Sequence, residues 1–144
     1  MPDPAQGLHE TLLAFDYGLK KIGVAIGNTL TRQARPLRIL RPVTREQRFQ
    51  AIGGLLHEWQ PDRLVVGLPL TPEGGEQHAS RHCRRFANQL HGRYGLNVEL
   101  VDERGTSVEA QLVLGNNDDD DAVAAALILQ RYLDALPAGY AEPA

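Results

Sequence analysis

Two short stretches, TLLAFD at 11–16 and RLVVGLPL at 63–70, carry apolar side chains at odd and even positions alike. A strand of that kind must be covered on both faces, so it belongs in the middle of a sheet. KIGVAIGN (21–28) follows the first stretch after the turn signal YGLK, where Gly18 can take a positive φ. LRILR (37–41) alternates apolar and polar residues, as a strand exposed on one side does. Short connections make these three strands antiparallel neighbours.

Thr44 and Gln47 have the spacing of a helix capping box, and Phe49, Ile52, Leu55, Leu56 and Trp59 recur at helical intervals up to Pro61. After the loop TPEGGEQ a longer helix is expected, with a stripe of Ala79, Cys83, Phe86, Ala87, Leu90 and Tyr94 and a stop at Gly95. LNVELV (96–101) is the last strand, followed at once by DERGTS. Thr106 and Glu109 make a second capping box, opening a short helix, SVEAQLVL, that stops at Gly115. NNDDDD is a loop, and the alanine-rich AVAAALILQRYLDAL is a final helix. The order is βββαβαβαα, and helices between the later strands require parallel crossovers, so the sheet is mixed.

At 144 residues the chain has the length of one domain, expected over 11–136 between polar tails at 1–10 and 137–144. No apolar run approaches the roughly 20 residues that cross a bilayer. MPDPAQGLHE, polar and with two prolines, has neither a signal nor a transit pattern. Cys83 is the single cysteine, which excludes an internal disulfide and a multi-cysteine zinc site. Its expected place is a buried helix face. These features point to the cytoplasm.

A net charge of −3 does not advertise a nucleic-acid binder, but the charges are clustered. Arg32, Arg35, Arg38, Arg41, Arg45 and Arg48 recur in one third of the chain, and Arg81, Arg84 and Arg85 form a second group. A basic face beside an acidic pocket and a merely solvated surface both fit that spacing. Among five histidines, His78 and His82 lie four apart on the expected second helix. They could share a metal there, with solvated helix surface as the plainer reading.

Acids stand at three separated places: Asp16 after the first strand, Asp102 and Glu103 after the last, and Asp121 before the final helix. If strands one, four and five run parallel, their C-terminal ends open on one edge of the sheet, where ligands bind in open α/β sheets. Asp121 shares a helix face with Ala124, Ala125, Ile128 and Tyr132, which directs it toward the same edge. Gathered carboxylates raise one another's pKa, and a divalent cation relieves the repulsion. Mg²⁺ and Mn²⁺ favour such oxygen ligands, and two ions about 3.5–4 Å apart serve phosphodiester hydrolysis. Each acid taken alone also reads as a turn residue or helix cap.

LLAFDYGLKKIGVAIGN, RPL, VVGLPL, DERGTSVEA and DAVAAALIL, in this order, resemble the YqgF/RuvX family of RuvC-like Holliday junction resolvases and pre-16S rRNA nucleases over residues 11–133. The resemblance implies an RNase H-like α/β fold with sheet order 3-2-1-4-5. It implies Mg²⁺- or Mn²⁺-dependent hydrolysis of nucleic-acid phosphodiesters, with two ions when substrate is bound. The implied role is processing of the 5′ end of the 16S rRNA precursor on pre-ribosomal particles, with branched DNA as the other substrate. Asp16, Glu103 and Asp121 then stand as catalytic metal ligands, with Asp102 as the alternative third acid. Strands one and five lie two spacings apart, about 9–10 Å, a gap the longer glutamate spans more easily. Lys20, Lys21 and Arg104 would contact phosphates. Monomer and homodimer both remain open.

Three positions depart from the family pattern: Leu19 where threonine is usual, Gly105 where leucine follows DER, and NNDDD in place of a longer basic loop. The last removes phosphate contacts and adds repelling acids, which motivates a second reading, an RNA-binding assembly factor that does not cut. An ATPase of the actin and sugar-kinase type would need a second lobe, for which 144 residues leave no room.

Overall fold

The computed structural model describes residues 9–71, 73–103 and 120–137, with backbone only at Asp120 and Asp121. Strands β1 (Thr11–Tyr17), β2 (Ile22–Asn28) and β3 (Ala34–Leu40) come first. Helix α1 (Arg45–Trp59), β4 (Arg63–Leu68), α2 (His78–Tyr94), β5 (Asn97–Asp102) and α3 (Asp120–Asp134) follow. The sheet order is β3-β2-β1-β4-β5, antiparallel from β3 to β1 and parallel from β1 to β5. This is the mixed RNase H-like sheet that the resemblance implies. The expected short helix after Thr106, the loop before Asp120 and Arg104 lie outside the described residues, as do the terminal segments 1–8 and 138–144.

Strand parity divides the core. Leu13, Phe15, Val24, Leu64 and Val66 pack on α1 and α2 through Phe49, Ile52, Leu55, Phe86 and Leu90. Leu12, Ala14, Ala25 and Val65 face α3 through Ala125, Ile128, Leu129 and Leu133. Ala14, Ala25, Ala125 and Ala126 lie in this second layer and let α3 approach the sheet closely. A Cβ on Gly27 would come within 2.8 Å of the Gln33 carbonyl and 3.1 Å of Leu129. Among the described residues no helix is long and apolar enough to cross a membrane.

Helix α1 starts and stops where expected: Thr44 and Gln47 form the capping box, and Gln60 takes a left-handed φ of 47° just before Pro61. Three expectations need correction. Strand β3 begins at Ala34 rather than Leu37, because a register shift at Val24/Ala25 accommodates Pro36, which has no N–H to give the ladder. The buried stripe of α2 includes Ser80, whereas Ala79 is exposed. The Ser80 hydroxyl is fully buried because it donates to the Pro69 carbonyl and accepts from the Gln77 N–H, tying the first turn of α2 to the end of β4. Gly18, finally, does not adopt a positive φ. A Cβ there would stand 2.7 Å from the Lys21 carbonyl oxygen, so the turn needs glycine for space.

Phe86 joins the helical layer to the sheet, stacked on Tyr17 at 4.3 Å and edge-on to Phe15 at 5.8 Å between ring centroids. Phe86→Ala should cost about 3–5 kcal/mol of unfolding free energy. Thr44→Ala, which removes only a cap, should cost about 1 kcal/mol. Urea denaturation followed by circular dichroism reads both.

Candidate active site

Asp16 is the penultimate residue of β1 and has the parity of Leu12 and Ala14, so it belongs to the α3 face of the sheet. It pairs in register with Gly23 of β2 and is half-buried. Glu103 follows β5 directly, and its N–H still donates to the Leu68 carbonyl at 3.2 Å, extending the parallel ladder by one residue. Both acids therefore sit at the C-terminal ends of parallel strands, as expected, with β4 between them.

The side chain of Glu103 crosses that strand. A Cβ placed on Gly67 of β4 would lie 2.6 Å from Glu103 Oε2, 3.1 Å from its Cδ and 2.5 Å from Ile128 Cδ1. Gly67 thus leaves a gap between the sheet and α3, and the carboxyl group fills it. On the far side Glu103 shares a side-chain hydrogen bond with Asp16. Burial above all, then the charge and hydrogen bond of Asp16, push the Glu103 carboxyl up to about 8 from its usual 4.5. The expected mutual repulsion is therefore present, but second to desolvation.

Arg131 of α3 opposes this shift. Its guanidinium donates to the Asp102 carbonyl at 2.9 Å, bringing positive charge to the end of β5. Asp102 contributes a smaller repulsion to Glu103 than Asp16 does. Asp121 is the second residue of α3, one turn before Ala125 and two before Ile128. Its side chain lies outside the described residues, and no group of three potential metal-ligating side chains occurs among the described ones. Lys20 and Lys21 are exposed on the β1–β2 turn just beyond Asp16.

Beside the acids opens a largely apolar cleft of about 360 Å³, lined by Glu103, Tyr17, Leu19, Pro69, His78 and His82 among others. Cys83 also lines it and is only 2% exposed, the buried thiol expected from the sequence. Burial, with the charges of Glu103 and Asp16, pushes the thiol up to about 12, so it stays protonated and unreactive at neutral pH. Several arginines of the first cluster are engaged within the fold. Arg32 donates to the carbonyls of Leu136 and Pro137, Arg38 reaches Glu58 at 3.9 Å, and Arg48 lies over Tyr17 at 5.2 Å.

Gly67 and Arg131 are the two participants that the sequence reading passed over. The sole signal for Gly67 was a glycine inside an otherwise apolar run, which marks a close approach without naming what approaches. For Arg131 it was a cation in the sheet-facing third of an alanine-rich helix.

The family model described as "RuvX: Holliday junction resolvase" matches residues 10–135. A Bordetella petrii protein named "Putative pre-16S rRNA nuclease" is 72% identical over 128 residues, covering 89% of this chain and 98% of the relative. A Cupriavidus necator protein of the same name is 55% identical over 127 residues, covering 88% and 90%. Among solved structures, T. thermophilus RuvC in complex with a Holliday junction substrate superposes with a TM-score of 0.55 at 14% identity, over 87% of this chain and 94% of that one. The fowlpox virus Holliday junction resolvase gives the same score and identity over 88% and 99%. At that identity the two structures establish a shared RuvC-like fold. With the family match running through β1, Gly67, Glu103 and α3 alike, the chain belongs to the RuvX family.

Proposed function

We propose that this chain is a metal-dependent nuclease of the bacterial cytoplasm that hydrolyses phosphodiester bonds in structured RNA and processes the 5′ end of the 16S rRNA precursor. The observation that carries the reading is the meeting of Asp16 and Glu103 over Gly67. The names of the close relatives point the same way.

The donor set fits a hard divalent cation. Two carboxyl groups held together in a half-buried site need a compensating positive charge, and in its absence Glu103 keeps a proton near neutrality. Asp16 and Asp121 would hold Mg²⁺ or Mn²⁺, with Glu103 as the third acid and Asp102 the alternative to it. When bound, such ions (two with substrate) would supply activation of water and neutralisation of charge on the phosphate. Gly67 keeps the path of Glu103 open, and the Arg131 bond to the Asp102 carbonyl fixes the end of β5. Lys20, Lys21 and Arg104 grip the phosphate backbone, which sets affinity and salt dependence more than sequence choice.

Asp16→Asn should lower Mn²⁺-dependent cleavage of a pre-16S rRNA fragment by about 100-fold or more, the scale of several kcal/mol of lost charge stabilisation. A four-way DNA junction run in parallel decides between RNA and branched DNA. Wild-type rates in highly purified Asp16→Asn and Asp121→Asn proteins would refute the mechanism. Binding of RNA without any product would leave the non-cutting assembly factor.

The raised Glu103 carboxyl also makes metal-free stability depend on pH. The native state keeps a proton that the unfolded chain releases near 4.5, so this group's contribution is full below that value. It is lost as pH rises through about 8. Glu103→Gln should therefore melt progressively higher than wild type across this window in EDTA, and saturating Mn²⁺ should narrow the gap by stabilising only the wild-type carboxylate. Calorimetry at a series of pH values reads both effects.

Gly67→Ala should displace the Glu103 carboxyl and overpack Ile128, costing about 1–3 kcal/mol of stability together with cleavage. Adding Ile128→Val should restore much of the stability by shortening the crowded side chain, yet leave cleavage low. Denaturation and kinetics on the single and double variants separate the two effects.

A further inference from the structure

His78 and His82 occupy the first two turns of α2 and line the same cleft as Glu103. Their Nε2 atoms face each other at 3.0 Å, with the rings nearly perpendicular at 84° and centroids 4.5 Å apart. Two imidazole nitrogens at that separation cannot both present lone pairs to the gap. A neutral pair must place one N–H between them. A metal ion can take the place of that proton. Bonds of about 2.0–2.1 Å to each nitrogen, meeting at about 90–110°, put the two nitrogens about 2.9–3.4 Å apart. The observed spacing falls in that range with no change of rotamer.

We propose that His78 and His82 form a two-histidine site for a borderline transition-metal dication, Zn²⁺, Ni²⁺ or Cu²⁺, on the rim of the cleft beside the carboxylates. The His-x-x-x-His spacing on one helix face is the spacing by which helices chelate zinc elsewhere. Imidazole selects these ions over Mg²⁺ and Ca²⁺, which prefer oxygen. The pair is therefore chemically distinct from the Asp16–Glu103 pair although Glu103 lines the same cavity. The rings are accessible from solvent, so an ion can enter without rearrangement. No third His, Cys, Asp or Glu completes the set among the described residues, so water or a substrate oxygen fills the remaining positions. An ion held there adds positive charge to the cleft that Glu103 also lines, where a phosphodiester approaching the acids would meet it. The site itself does not depend on the nuclease reading.

Isothermal titration of the full chain with Ni²⁺ and with Zn²⁺ tests this at neutral pH. The expected result is one saturable site that excess Mg²⁺ does not displace. His78→Ala and His82→Ala should each weaken it by about tenfold or more. His57→Ala, on the exposed face of α1, should leave it unchanged. With Cu²⁺, electron paramagnetic resonance should show coupling to two imidazole nitrogens in wild type and to one in either single variant. The proposal fails if no saturable binding occurs, if the α2 variants bind as wild type does, or if Mg²⁺ competes. The last outcome would put the ion on the carboxylates.

Discussion

Half-burying two carboxyl groups against each other costs desolvation and repulsion, and the architecture around the acids follows from it. Asp16 and Glu103 come from strands that are not neighbours, so they meet only because one side chain crosses the strand between them. That crossing requires an absent side chain at one residue of β4. Gly67 supplies it, with Glu103 Oε2 2.6 Å from where a Cβ would be. The parallel ladder sets the reach, since Leu68 pairs with Asp102 and its carbonyl still binds the Glu103 N–H. A shift of one residue in β5 would send Glu103 to the opposite face.

Helix α3 closes the same gap from above. Adjacent residues anchor it toward both edges of the sheet. Gln130 accepts from the Ala34 N–H at 3.0 Å and donates to the Arg32 carbonyl at 2.8 Å on the β3 side. Arg131 binds the Asp102 carbonyl on the β5 side. Alanines on the helix and on β1 and β2 bring it close enough for Ile128 to press on Gly67. The close packing has a chemical consequence: it limits the access of water to Glu103, and desolvation is the largest cause of that group's raised pKa. The apolar layer tunes the acid more strongly than the neighbouring acid does.

Much of this was legible in the sequence because it depends on local pattern. The two-faced apolar runs located β1 and β4, the Thr44–Gln47 box located α1, and the positions of Asp16 and Glu103 after strands placed both at one edge. The choice of Glu103 over Asp102 as the partner of Asp16 followed from strand spacing once the resemblance had implied the sheet order. What stayed illegible depends on contacts between distant residues. Nothing local says that Ser80 rather than Ala79 turns inward, since the reason is the Pro69 carbonyl eleven residues back. Nor does it say whether the glycine of the turn serves φ or space. The glycine of VVGLPL reads as a bulge, a bend or a close approach with equal ease, and only the course of a side chain 36 residues later decides.

The cleft joins two donor chemistries that rarely compete. Its sheet side offers carboxylate oxygen at strand ends, held by backbone ladders and a missing Cβ. Its α2 side offers imidazole nitrogen on a helix whose first turn is tied to Pro69 through Ser80. The two sides are mechanically linked, because Pro69 follows β4 directly and Gly67 lies two residues before it. Any movement of β4 that altered the path of Glu103 would therefore also move the start of α2 and the histidines on it. In a fold this small, the strand that separates the two acids also sets the distance between the two walls of the cleft.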